Sequence, residues 1–147
     1  MIRQVTDGPH INHPTYFLQG SFFPGDREMF FTSYRTGAAQ LFEISLTTGE
    51  TRQLTRGAPI HPYSAALHPD GATLVVTRGG ELWALDRGTL QERRIFALPG
   101  AQLGECSISV DGELELRVDD GARERNDGGG GPVKANRWWP SPATALV

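Results

Sequence analysis

Several side chains in this 147-residue sequence have the types and spacings that chemistry uses. His10 and His13 form a His-x-x-His pair. On a helix that spacing turns two imidazoles to one side, as a metal site requires. Here Pro9 and Pro14 bracket the pair, so it belongs to a loop. Loop imidazoles of this kind can line a ligand cavity or be ordinary surface groups. His61 and His68 have weaker claims, and His68 precedes Pro69-Asp70-Gly71 and belongs to a turn. Ser21 and Ser64 lack a Gly-x-Ser-x-Gly elbow, so no hydrolase triad is expected. Gly100 and Gly104 form only Gly-x-x-x-Gly, which is not a phosphate loop. Asp119-Asp120 beside Gly121 reads as a solvated turn rather than an acid pair. The lone Cys106 permits no internal disulfide and reads as a small buried hydrophobe. No catalytic residue and no metal ligand is assigned from these groups.

The composition, 38% hydrophobic and 21% charged, is that of a globular chain. At this length about two-thirds of the unfolded surface can be buried, enough for a core. A net charge of −3 and a pI near 5.8 weigh against nucleic acid, whose affinity depends on Lys and Arg contacts to phosphate. No apolar run approaches the ~20 residues of a membrane helix, and Met1-Ile2-Arg3-Gln4-Val5 has no secretory character. Neither a membrane nor a nucleic acid is expected as a partner.

Helical periodicity is scarce and strand signals are dense. Strands are expected at Tyr16 to Phe23, Glu28 to Ser33, Gln40 to Leu46, Thr51 to Thr55, Ser64 to Leu67, Thr73 to Thr77, Glu81 to Asp86, Arg93 to Ala97, Cys106 to Ser109 and Glu113 to Val118. Pro24-Gly25-Asp26, Pro69-Asp70-Gly71 and Asp111-Gly112 punctuate them as turns.

The strands repeat. Asp70-Gly71 and Asp111-Gly112 lie 41 residues apart, and at that offset Leu41 maps to Leu82, Phe42 to Trp83, Ile44 to Leu85, Arg52 to Arg93 and Leu54 to Ile95. Arg3-Gln4-Val5-Thr6-Asp7-Gly8 also matches Arg52-Gln53-Leu54-Thr55-Arg56-Gly57 at four of six positions. A period of roughly 40 to 45 residues with four strands per unit is the signature of a β-propeller blade. Phe42, Ile44 and Leu46 share one strand face while Leu41 takes the other. A blade packed between two neighbours needs apolar residues on both faces. The expected fold is all-β, a partial β-propeller of about two and a half four-stranded blades: residues 20–57, 65–98 and a partial blade at 106–118. Residues 3–6 read as an orphan closing strand of the kind that hides a sheet edge, and the remaining strand edges are expected to self-associate. After Val118 the pattern stops. Residues 121–147 hold five Gly and three Pro, including the run Gly128-Gly129-Gly130-Gly131-Pro132, then Arg137-Trp138-Trp139-Pro140. This irregular tail, residues 119–147, reads as a disordered terminus, a linker with a Trp-bearing motif, or the product of a frameshift or early stop in a longer gene, since a closed propeller needs roughly 4 to 8 blades.

The stretch His10-Ile11-Asn12-His13-Pro14-Thr15-Tyr16-Phe17-Leu18-Gln19-Gly20-Ser21-Phe22 is more specific than a generic blade. With Met29-Phe30-Phe31, Gln40 to Gly49 and Gln53-Leu54-Thr55-Arg56-Gly57 it resembles the N-terminal part of oligogalacturonate lyases, a family of seven-bladed propellers, over residues 3–118. The Leu-Phe/Trp, Thr-Gly and Asp-Gly elements are shared with the wider class of TolB-like repeats. The resemblance implies β-elimination on unsaturated oligogalacturonides in pectin breakdown, in the cytoplasm, with manganese or another divalent metal at a substrate carboxylate and a base at the adjacent carbon. It implies that the metal ligands, a His-rich set with a Gln, and the catalytic bases come from later blades, so none is carried over to this chain. Together with the local reading it makes His10, His13, Tyr16 and Gln19 candidates to line the central funnel. The chain alone is then expected to be inactive. A TolB-like interaction module and an intact small β protein are the rival readings.

Overall fold

The computed structural model describes residues 2–119 together with the short strand at 133–134. Three antiparallel sheets follow one another along the chain. The first orders β1 (Asn12–His13), β2 (Glu28–Ser33), β3 (Gln40–Ser45) and β4 (Thr51–Gln53) side by side. The second does the same with β5 (Ala66–Leu67), β6 (Thr73–Arg78), β7 (Glu81–Asp86) and β8 (Glu92–Ala97). The third contains β9 (Gln102–Ile108), β10 (Leu114–Asp119) and β11 (Val133–Lys134) in the order β11-β10-β9.

Local chemistry explains the punctuation. At the β5–β6 turn the Asp70 carboxylate accepts from the backbone N–H of Ala72 and Thr73 and from the Thr73 hydroxyl. Partial burial opposes ionisation there, but these bonds outweigh it and hold the carboxyl below its ordinary range. The β7–β8 turn uses Asp86 in the same way toward Thr89.

The repeat seen in the sequence is a repeat in space. Leu41 packs between the first and second sheets and Leu82 between the second and third, both fully buried. Leu54 and Ile95 obey the same rule. On the opposite face, Phe42 and Ile44 form a cluster with Phe31, while their counterparts Trp83 and Leu85 pack against the first sheet. Apolar residues therefore cover both faces of the first two sheets, as stacked blades require. In the third sheet Leu114 and Leu116 are buried but Glu115 and Arg117 are exposed, so β10 has one apolar and one polar face.

Two threonines tie each sheet to the next. Buried Thr32 of β2 donates to the Pro62 carbonyl at 2.8 Å, just before the second sheet. Thr77 of β6 donates to the carbonyls of Leu103 and Gly104 in β9 at 3.2 and 2.9 Å. Cys106 adds a contact of the same kind, its Sγ 2.7 Å from the Ser64 carbonyl oxygen. Burial, with the charge of Glu105 adding to it, pushes the Cys106 thiol up to about 12. Only the thiolate is a good nucleophile, so iodoacetamide at neutral pH is expected to leave Cys106 unmodified in the folded chain and to alkylate it fully in urea. Rapid alkylation without denaturant, read by mass spectrometry, would mean that β9 does not pack on the second sheet.

Several expected elements differ. Tyr16 to Phe23 is not a strand: the inner strand of the first sheet is Asn12–His13, and only Phe22 pairs further on, opposite Met29. Apolar Phe17 and Leu18 imitate strand residues but are 79% and 76% exposed. The buried Thr15 and Ser21 hydroxyls, 2.7 Å apart, close residues 15–21 into a loop. Residues 3–6 form no strand, because no neighbouring strand among the described residues offers them a ladder; the Arg3 guanidinium donates to the Leu46 carbonyl instead. β5 is shorter than expected and β9 starts at Gln102 rather than Cys106, since Leu103 N–H finds the Gly79 carbonyl. The third sheet does not stop at two strands: β11 pairs with β10 through Leu116 and Val133. Trp138 and Trp139 lie outside the described residues.

Candidate functional site

Each sheet places its first strand at one edge, and β5 and β9 are in contact. The four candidates, His10, His13, Tyr16 and Gln19, come from β1 and the residues on either side of it.

The structure gives them different surroundings. His10 is exposed ahead of β1, and its carbonyl accepts from Asn12 Nδ2 at 3.1 Å. Tyr16 is half-buried in the 15–21 loop, with its ring 4.4 Å from that of Phe17. Gln19 reaches furthest: its Nε2 donates to the Cys106 carbonyl of β9. That bond ties the loop after β1 to the third sheet. Gln19 Oε1 is buried and has no hydrogen-bond partner among the described residues.

His13 joins a group that the sequence reading did not assemble. Its ring lies 4.7 Å from Tyr63, tilted by 33°, and 6.0 Å from Tyr34. His61 meets the same Tyr63 ring nearly edge-on at 6.4 Å. Tyr63 is 43% exposed. The turn that carries it is pinned on several sides: His61 N–H donates to the Thr77 carbonyl, Ser64 Oγ donates to the His61 carbonyl, and Thr32 holds the Pro62 carbonyl. A signal for this pairing was present. His13-Pro14 and His61-Pro62 are the same dipeptide 48 residues apart, each leading toward a blade. His68, by contrast, faces Asp70 at 3.1 Å and Gly112 across the second and third sheets.

The hydrogen bonds assign the two imidazoles to opposite tautomers. Pro14 O lies 2.9 Å from His13 Nδ1 and can only accept, so Nδ1 carries the hydrogen and Nε2 is a lone-pair acceptor. The Tyr63 N–H donates to His61 Nδ1 at 3.4 Å, so the His61 hydrogen sits on Nε2, a donor.

Among the described residues no three His, Cys, Asp or Glu side chains gather where a metal ion could be held, and His13 Nδ1 is already committed. The described residues therefore do not fit manganese, and no step of chemistry is assigned to them through a metal.

No protein-family model matches the chain, and no curated protein does. Solved structures do. An oligogalacturonate lyase from Vibrio parahaemolyticus superposes with a TM-score of 0.71 at 21% identity, over 78% of this chain and 31% of that one. An oligogalacturonate lyase in complex with manganese gives 0.68 at 24% identity, over 77% and 32%. TolB from Acinetobacter baumannii gives 0.56 at 20% identity, over 77% and 27%. The chain spans about a third of the length of these structures. With the three stacked sheets, these likenesses show that the chain folds as successive blades of a β-propeller.

Proposed function

We propose that this chain supplies blades to a propeller of the oligogalacturonate-lyase kind, which acts in the cytoplasm on the acidic oligosaccharides of pectin by β-elimination. The observation that carries this reading is the 0.71 superposition on an oligogalacturonate lyase, together with the His10 to Phe22 stretch that resembles that family. β-Elimination beside a carboxylate needs a cation to stabilise charge developing on the carboxylate, and a base within reach of the neighbouring C–H. Among the described residues no cluster gathers that could hold a metal ion for the first role. The chain by itself is a binding piece, and turnover belongs to a complete wheel.

Two measurements test this. With unsaturated digalacturonate and manganese, the purified chain is expected to give no product above the protein-free rate. In amide-resolved NMR, digalacturonate is expected to shift a saturable set of resonances that neutral digalactose leaves nearly unmoved at the same concentration. Turnover by the chain alone would overturn the first half of the reading, and an unchanged spectrum the second. The alternative, a TolB-like module that binds a protein, rests on the likeness to TolB and predicts the unchanged spectrum.

A further inference from the structure

We propose that Tyr63, backed by His13 and edged by His61, is a platform for one pyranose ring of a saccharide. The acidic identity of that saccharide rests on the function proposed above; the platform itself rests on the geometry.

A pyranose has two chemically different aspects. Its C–H groups form an apolar face, and its rim carries hydroxyls that each donate and accept a hydrogen bond. An exposed aromatic ring answers the face, and a few fixed polar groups answer the rim. Tyr63 supplies the ring. One face of it is occupied by the His13 imidazole at 4.7 Å, and yet 43% of the residue stays accessible. The edge-on imidazole supplies a polar group beside the ring: with Nδ1 accepting from the Tyr63 N–H, His61 carries an Nε2–H donor that a rim hydroxyl can accept from.

The platform is also held in place before any ligand arrives. Pro62 is fixed by Thr32 from the first sheet, and His61 by Thr77 from the second. The turn from His61 to Ser64 closes on itself through Ser64 N–H and Oγ, at 3.1 and 2.9 Å from the His61 carbonyl. Such pinning lowers the ordering cost of binding. It also places the site on the seam between the first two blades.

The test is NMR titration of the full chain and its Tyr63→Ala, Tyr63→Phe and His61→Phe variants with digalacturonate and, separately, with neutral digalactose. Digalacturonate is expected to move the amides of Tyr63, Ser64 and His13 in the wild type. Tyr63→Ala should weaken its affinity at least tenfold, Tyr63→Phe less than threefold, and His61→Phe by an intermediate factor. Tyr63 is partly exposed, so the dispersed spectrum of Tyr63→Ala should report an intact fold. Were that variant to unfold, the amides moved in the wild type would decide the matter. Digalacturonate that binds the wild type and Tyr63→Ala equally, or that moves amides elsewhere, overturns the platform and leaves the proposed function standing. Neutral digalactose that binds in a Tyr63-dependent way while digalacturonate does not supports the platform and overturns the proposed function. No binding of either sugar overturns both.

Discussion

Phe30→Ala is expected to lower the unfolding free energy by about 3–5 kcal/mol, the range for removing a fully buried phenylalanine. Phe30 sits at the centre of β2 with no exposed surface, its ring 5.2 Å from that of Phe23. It belongs to the cluster in which Leu41 and Leu54 from the first sheet meet Leu74, Val76 and Leu85 from the second. Deleting the ring removes its transfer free energy and leaves a hole that two rigid sheets cannot close. A domain of this size has roughly 5–15 kcal/mol in total, so the variant should unfold at much lower urea than the wild type, followed by circular dichroism. Phe22→Ala provides the contrast. Phe22 is its near neighbour in sequence but is 47% exposed, and the change there should stay within about 1 kcal/mol. A loss below about 1 kcal/mol at Phe30 would show that the first two sheets do not share a core.

Gly80→Ala should cost about 2–4 kcal/mol, more than the same change at the adjacent glycine. A Cβ at position 80 would lie 2.6 Å from the Leu98 carbonyl oxygen and 2.9 Å from that of Ala101. Both are backbone atoms of the segment that leads from β8 into β9, so neither can swing aside. Moving that segment strains the bonds that hold it, Leu98 N–H to the Gly80 carbonyl at 2.8 Å and Leu103 N–H to the Gly79 carbonyl at 2.7 Å. Gly79 has φ +54° but open space around its missing Cβ. Its replacement by alanine carries only the left-handed backbone penalty of about 1–2 kcal/mol. The ordering of the two variants in urea, and faster amide exchange at Leu98 and Leu103 in Gly80→Ala alone, are the readouts. Equal losses would mean that the β6–β7 turn does not carry the third sheet.

Most of the local architecture was legible in the chain. The eight strands from β2 to β4, β5 to β8 and β10 fall at or near their expected places, because each is a short apolar run bounded by turn residues whose conformations need no distant partner. The 41-residue spacing that pairs Leu41 with Leu82 and Leu54 with Ile95 was legible for the same reason. A residue facing the next sheet must be apolar in every repeat. The candidates His10, His13, Tyr16 and Gln19 were legible as residue types near the first blade, but their neighbours were not.

The errors all lie where a choice of partner decides the structure. Tyr16 to Phe23 has strand-like composition, yet β2 takes Asn12–His13 as its inner neighbour, and the loop instead sends Gln19 to Cys106, 87 residues away. The His-Pro dipeptides at His13 and His61 mark equivalent places, but the same dipeptide at His68 does not join the group, and nothing local says that His13 rests on the tyrosine two residues beyond His61. By itself the sequence determined where strands and turns form and which residues seek burial, because those properties reside in neighbouring residues. Tertiary structure alone decided which edges pair, which glycine is pressed by a crossing backbone and which rings meet at the blade seam, because each depends on groups that share no local stretch of chain.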